Sequence, residues 1–126
     1  MSTTLSFSGS VANADALTRY DLLSFAPSLT IDRLVQYRQM SIANSAVHTM
    51  DLSEMPDEGN GPQASAILLF VQQGSVIVHL TTGPSPADVV HLYVDKMCVL
   101  VDARVFSMTV TGSDVGGSVY DLIIGG

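Results

Sequence analysis

AILLFVQQ (66–73), SVIVHLTT (75–82), VVHLYVD (89–95), KMCVLVDA (96–103), RVFSMTV (104–110) and SVYDLIIGG (118–126) follow one another with only short breaks of Gly, Pro, Asp or Ser. Runs rich in β-branched, aliphatic and aromatic residues, bounded by turn formers, read as strands. A chain that gives its second half to such a relay builds an antiparallel sandwich or barrel, not an open cleft. Gln73-Gly74 reads as a tight turn, and Asp95-Lys96 and Asp102-Ala103 as two-residue hairpin turns. GPSPAD (83–88) is a longer loop whose two prolines forbid ladder pairing, and GSDVGG (112–117) is the last turn.

Outward from the relay, Thr3 to Val11 alternates, with Leu5, Phe7, Gly9 and Val11 on one face and Thr4, Ser6, Ser8 and Ser10 on the other. That is one half-buried strand of period two. ALTRYDLLSF (16–25) supports two readings: a short helix capped by Asn13 or Asp15 and ended by Pro27, or a strand-like or irregular arm. Thr30 is placed to cap one turn at IDRL, and from Leu34 onward VQYRQMSIA is extended, with Val35, Tyr37 and Gln39 opposing Gln36, Arg38 and Met40. AVHTMDL (46–52) is a further strand, a candidate partner for the one before it, and MPDEGNGPQ (55–63) is the clearest loop. The expected fold is mainly β: a single domain over 1–126, an antiparallel β-sandwich or jelly-roll-like body of about eight strands, with a short helical or irregular N-terminal segment. Residues 1–45 form an N-terminal strand and arm, and 64–126 the relay.

Length agrees with one core, since 126 residues suffice for a single domain but not two. Hydrophobic residues reach 47% while charged residues are 13%, about half the usual share of roughly 25%. Such a chain buries apolar surface easily and covers the remainder poorly, which points to oligomerisation or docking on a larger body. The net charge of −7 is regional. Arg19, Arg33 and Arg38 balance Asp15, Asp21 and Asp32 within residues 1–38, and the rest sets nine acids against Lys96 and Arg104. No cluster of Lys and Arg exists to bind a polyanion, so nucleic acid is not an expected partner. The N-terminus has no basic, apolar signal pattern, and AILLFV is far too short to cross a bilayer, so no membrane is expected.

No motif points to catalysis or to a cofactor. Cys98 has no disulfide partner and reads as a buried thiol. His48, His79 and His91 have no local ligand spacing, although His79 and His91 fall in adjacent expected strands and would lie side by side on one face. A zinc site would need a third ligand and second-shell support, so no metal is expected. DLSEMPDEGNG (51–61) has the acidity of a calcium loop but carries Met55 where an EF-hand needs a ligand and lacks glycine at the sixth position. The glycines of GSDVGG open no helix, as a phosphate loop would, and no GxSxG elbow is present. An enzyme is therefore not expected. The terminal IIGG requires its strand to be tied into the sheet or added to a neighbour's. Arg19, Arg33, Arg38, Leu122 and Ile124 are the candidate interface residues, with Arg favoured at such surfaces.

From Ala66 to Gly126 the order of moves resembles small virion structural proteins of tailed bacteriophages. An AILLFV strand, a turn, SVIVHLTTG, a polar loop, VVHLYVDKMCVLVD, a Val-Phe-Ser-Met-Thr-Val strand and a terminal aliphatic strand are similar in texture to decoration (cement) and tail-associated modules. The resemblance implies a capsid decoration protein found in the virion and made in the host bacterial cytoplasm. It would bind the major capsid protein or another virion protein as a homo-oligomer, such as a trimer, and stabilise the shell. The alternative it implies is a tail-fibre or tail-tip module that binds a receptor or carbohydrate.

Overall fold

A computed structural model describes residues 3–6, 9–14, 19–25, 28–57, 59, 61–82 and 88–126. Among them there is no helix. The strands are β1 (Thr3–Ser6), β2 (Gly9–Ala14), β3 (Arg19–Phe25), β4 (Ser28–Ile31), β5 (Leu34–Ile42), β6 (Val47–Met50), β7 (Ala64–Gln73), β8 (Val76–Thr82), β9 (Asp88–Val94), β10 (Met97–Gly112) and β11 (Ser118–Gly125).

Seven of them, β5 to β11, make one antiparallel sheet, and the long β10 explains its shape. Residues Met97 to Val101 of β10 pair with β7. After an irregularity at Val101–Val105, residues Val105 to Gly112 pair with β8, and Met108 to Thr111 also pair with β6. Counting the two halves of β10 separately gives eight strands in two groups of four. Layer I runs β5, β11, β7 and the first half of β10, and layer II runs β6, the second half of β10, β8 and β9.

The pairing has a simple rule. The first strand of this set pairs with the eighth (β5 with β11), the second with the seventh, the third with the sixth and the fourth with the fifth (β8 with β9). This is one long antiparallel ribbon rolled up on itself, the jelly-roll arrangement. Rolling adds the contacts of β11 with β7 and of β10 with β8. The expected antiparallel jelly-roll-like body of about eight strands is present.

Alternation along each strand turns one apolar row inward. Ile67 and Leu69 of β7, Tyr120, Leu122 and Ile124 of β11, Val76, Val78 and Leu80 of β8, and Met108 and Val110 of β10 are all buried in one cluster. His48 of β6, in layer II, reaches across to Tyr120 of β11, in layer I, with Nδ1 2.7 Å from the phenolic oxygen. Burial of Tyr120, reinforced by the neighbouring Tyr37, pushes its pKa up to about 12, so the phenol is neutral, and the His48 tautomer sets which of the two atoms donates. At one end of the layers, buried Ser75 and Ser118 join two connections: Ser118 Oγ donates to the Ser75 carbonyl (2.6 Å) and accepts from its N–H (3.2 Å).

Several local expectations need correction, and each has a physical cause. Asp102-Ala103 is not a hairpin turn, because β10 continues through it and only changes partners. The Gln73-Gly74 turn exists, with Gly74 at φ 74°, yet β7 and β8 do not pair; the turn carries the chain from one layer to the other. Asp95-Lys96 does the same between β9 and β10, so of the connections within the relay only 83–87 closes a paired hairpin, β8–β9. β6 pairs with β10 rather than with β5.

In β5 the alternation slips by one residue. Val35 and Tyr37 face the core, but so do Met40 and Ile42, because Gln39 (φ 49°) is the extra residue of a bulge opposite Asp121. The helical reading of 16–25 fails over Arg19–Phe25, which is strand, while 16–18 lie outside the described residues. Thr30 caps no helical turn; it lies in β4 opposite Thr4. The single strand expected over 3–11 is found as β1 and β2, residues 7–8 being outside the described set.

β1 pairs with β4 and β2 with β3. Partner numbers add to 34 throughout β1–β4, as for Thr3 with Ile31, and in the first three pairs of β2–β3, as for Gly9 with Phe25, so the near ends of the two ladders share one register; a shift at Val11–Ala12 then lowers the total to 33. A two-stranded ribbon therefore precedes the body. At its base the N–H groups of Asp32 and Arg33 donate to the Gly126 carbonyl at 2.7 and 2.9 Å, and Gly126 N–H donates back to Arg33.

Candidate interaction surface

The outward rows of layer I follow from its registers. One runs Val99, Leu68, Ile123, Gln36 across β10, β7, β11 and β5. The next runs Met97, Phe70, Asp121 and ends at the β5 bulge. Met97 is 60% exposed, Val99 43% and Phe70 37%. The face thus grades from apolar at β10 to polar at β5. Among the described residues, Met97–Val101 has a ladder partner on one side only, which leaves a strand edge open beside its most exposed apolar side chains. Soluble proteins normally protect such an edge with charge, and here Lys96 and Asp102 flank it without entering it.

At the polar end the bulge builds a groove of about 600 Å³ lined by Gln36, Tyr37, Arg38, Gln39, Phe70, Gln72, Asp121 and Ile123. Asp121 organises it. One carboxylate oxygen accepts from the Gln39 N–H at 2.7 Å, which holds that residue at positive φ, and the other accepts from the Gln72 amide. With its amide oriented to accept, Gln36 takes bonds from Arg38 Nε (3.0 Å) and Nη2 (3.3 Å). The groove therefore brings a guanidinium, three amides and a carboxylate together with the rings of Tyr37 and Phe70.

The residues singled out from sequence scatter. Arg38 lies in this groove and is exposed. Arg33 is exposed at the base of the ribbon, where its backbone bonds to Gly126. Arg19 is in β3 opposite Ala14, and its side chain is outside the described set. Leu122 and Ile124 are fully buried, so they serve the packing between layers and present nothing to a partner. The C-terminal strand is tied in, lying between β5 and β7. Sequence reasoning missed Met97, Val99 and Phe70, since all three sit in runs that read as uniformly buried. Their signal was the alternation itself, once β10 is known to lie at the edge of a layer.

Asp57 makes a turn within the acidic loop. The Asp57 carboxylate accepts from Gly59 and Gly61 N–H at 2.8 and 3.0 Å, an Asx-type turn. No group of three or more His, Cys, Asp or Glu among the described residues is arranged to hold a metal ion. No helix among them is long and apolar enough to cross a membrane. In comparisons with known proteins, no family model, no curated protein and no solved structure matches this chain.

Proposed function

We propose that this chain is a structural virion protein of a tailed bacteriophage, a capsid decoration protein that binds the major capsid protein as a homo-oligomer and stabilises the shell. The observation that carries the reading is the outer face of layer I, where Met97, Val99 and Phe70 lie exposed beside an open strand edge. Apolar area of this kind stabilises a contact by roughly 25 cal/mol per Å² removed from water, before the costs of association. The two-stranded ladders β1–β4 and β2–β3 support the same reading, because an isolated two-stranded ladder is marginal in water and gains most by lying on another surface. The jelly roll itself is shared by capsid proteins, lectins and cupins, so fold alone selects no function.

Two measurements test the proposal. Size-exclusion chromatography with light scattering should give an oligomer, and a clean monomer would remove the basis for shell binding. A mass-spectrometric inventory of virions of the encoding phage should contain the chain at a copy number that scales with the capsid lattice. A few copies would transfer it to the tail, and absence would reject a virion role.

A second reading, a tail-fibre or tail-tip module for receptor or carbohydrate, rests on the groove at Asp121. Planar amides, a guanidinium and a carboxylate in one groove with Phe70 offer hydrogen bonds to hydroxyl pairs beside a flat apolar ring. Glycan-array binding that disappears in Asp121→Ala, with no affinity for capsids, would favour it over decoration.

A further inference from the structure

We infer that His79 and His91 form a two-ligand site for a borderline divalent cation of the zinc, nickel and copper class, on the outer face of layer II. The two residues are directly opposite each other in the β8–β9 ladder, whose seven pairs run unbroken from Val76↔Val94 to Thr82↔Asp88. Their rings stack with centroids 4.2 Å apart and planes 26° from parallel. Val78, Leu80 and Val94 point into the core from the same strands, so both imidazoles stand on the outward side of an anchored ladder. Sites carried on strands hold their geometry better than sites on loops.

Directly opposed backbone positions put both rings within reach of one ion. Two imidazole nitrogens bonded to zinc at about 2.0–2.1 Å with a tetrahedral angle lie roughly 3.3 Å apart. The lone pairs of stacked, near-parallel rings run alongside each other, so binding one ion requires the rings to turn out of the stack about χ2, a broad torsion in histidine, until the two nitrogens converge. Imidazole selects this class of metal over magnesium and calcium, which require oxygen ligands. No third His, Cys, Asp or Glu among the described residues joins the pair, so it is a two-ligand chelate short of a three-ligand zinc centre, and water fills the remaining positions of the ion. The neighbours across the sheet are uncharged: Thr109 lies beside His79 on β10 and Thr49 beyond it on β6. The site lies on the opposite layer from the face proposed for assembly, so neither depends on the other.

Titration of the full-length protein with zinc chloride by isothermal calorimetry tests the inference, with magnesium chloride as the comparison. One zinc per chain is expected, with no magnesium heat, and His79→Gln and His91→Gln should each weaken zinc by at least about tenfold, because each removes one arm of the chelate. Absence of zinc heat, or heat unchanged in both variants, would overturn the site. Should either variant fail to fold, imidazole nitrogen resonances of the unmodified protein decide: His79 and His91 should shift together on adding zinc while His48, held by Tyr120, does not. A titration in which His79 and His91 stay unmoved overturns the site as well.

Discussion

Replacing Tyr120 by Phe tests how the two layers are held together. The ring is fully buried, so the substitution keeps its packing and removes only the hydroxyl that meets His48 across the core. A half-buried Nδ1 left without its hydrogen-bond partner costs about 1–3 kcal/mol, toward the low end where water reaches it. At roughly 2.1 cal/mol/K of unfolding entropy per residue, a chain of 126 residues loses about 4 °C of Tm per kcal/mol. A fall of about 4–8 °C at pH 8 is therefore expected.

The pH dependence is the sharper part. The Tyr120 pKa is raised to about 12, above its ordinary value of 10, so the fold favours the neutral phenol. The contribution is fully present below pH 10, the unfolded value, and is lost as pH rises from 10 through 12. Two units correspond to about 2–3 kcal/mol at about 1.4 kcal/mol per unit. Denaturant midpoints measured from pH 8 to pH 11.5 should show the unmodified protein losing its advantage over Tyr120→Phe across the upper part of that range. A stability difference that stays constant to pH 11.5 would refute a neutral, desolvated phenol as the link between the layers.

Three further outcomes are expected. Met97→Glu together with Val99→Glu should convert the proposed oligomer to monomer in light scattering while leaving Tm within a few degrees, since both side chains are exposed; an oligomer unchanged by the pair would move the contact elsewhere. Gly112→Ala should lower stability by more than 1 kcal/mol, roughly the overpacking range of 1–3 kcal/mol, because an added Cβ would sit 2.2 Å from the Ala43 carbonyl oxygen; chemical denaturation reads it. Leu122→Ala should cost about 2–5 kcal/mol as a core truncation, without the solvent access an interface residue would have.

The jelly-roll body was legible in the strand relay because period-two alternation and turn residues are local signals. Which strands pair was not. Gln73-Gly74 and Asp95-Lys96 carry turn chemistry, and nothing local distinguishes a turn that closes a hairpin from one that crosses between layers. The continuity of β10 was hidden for the same reason: Asp102-Ala103 looks like a turn, and only the change of partners from β7 to β8 gives it meaning. In β5 the phase slip at Gln39 depends on the carboxylate of Asp121, 82 positions away in sequence. His79 beside His91 was readable, because adjacent strands joined by a short loop fix their register. The exposed triad Met97, Val99 and Phe70 was not, since edge position is a property of the whole sheet.

The rolled ribbon also dictates an order of events in time. β8 and β9 close over a short loop, whereas β5 and β11 must meet across most of the body, and the entropy of closure grows with that span. Because β11 lies between β5 and β7, layer I has a gap at its centre until residues 118–125 are in place. The keystone of layer I is therefore synthesised after both of its neighbours, and until it is in place the inner edges of β5 and β7 stand open to any other strand nearby.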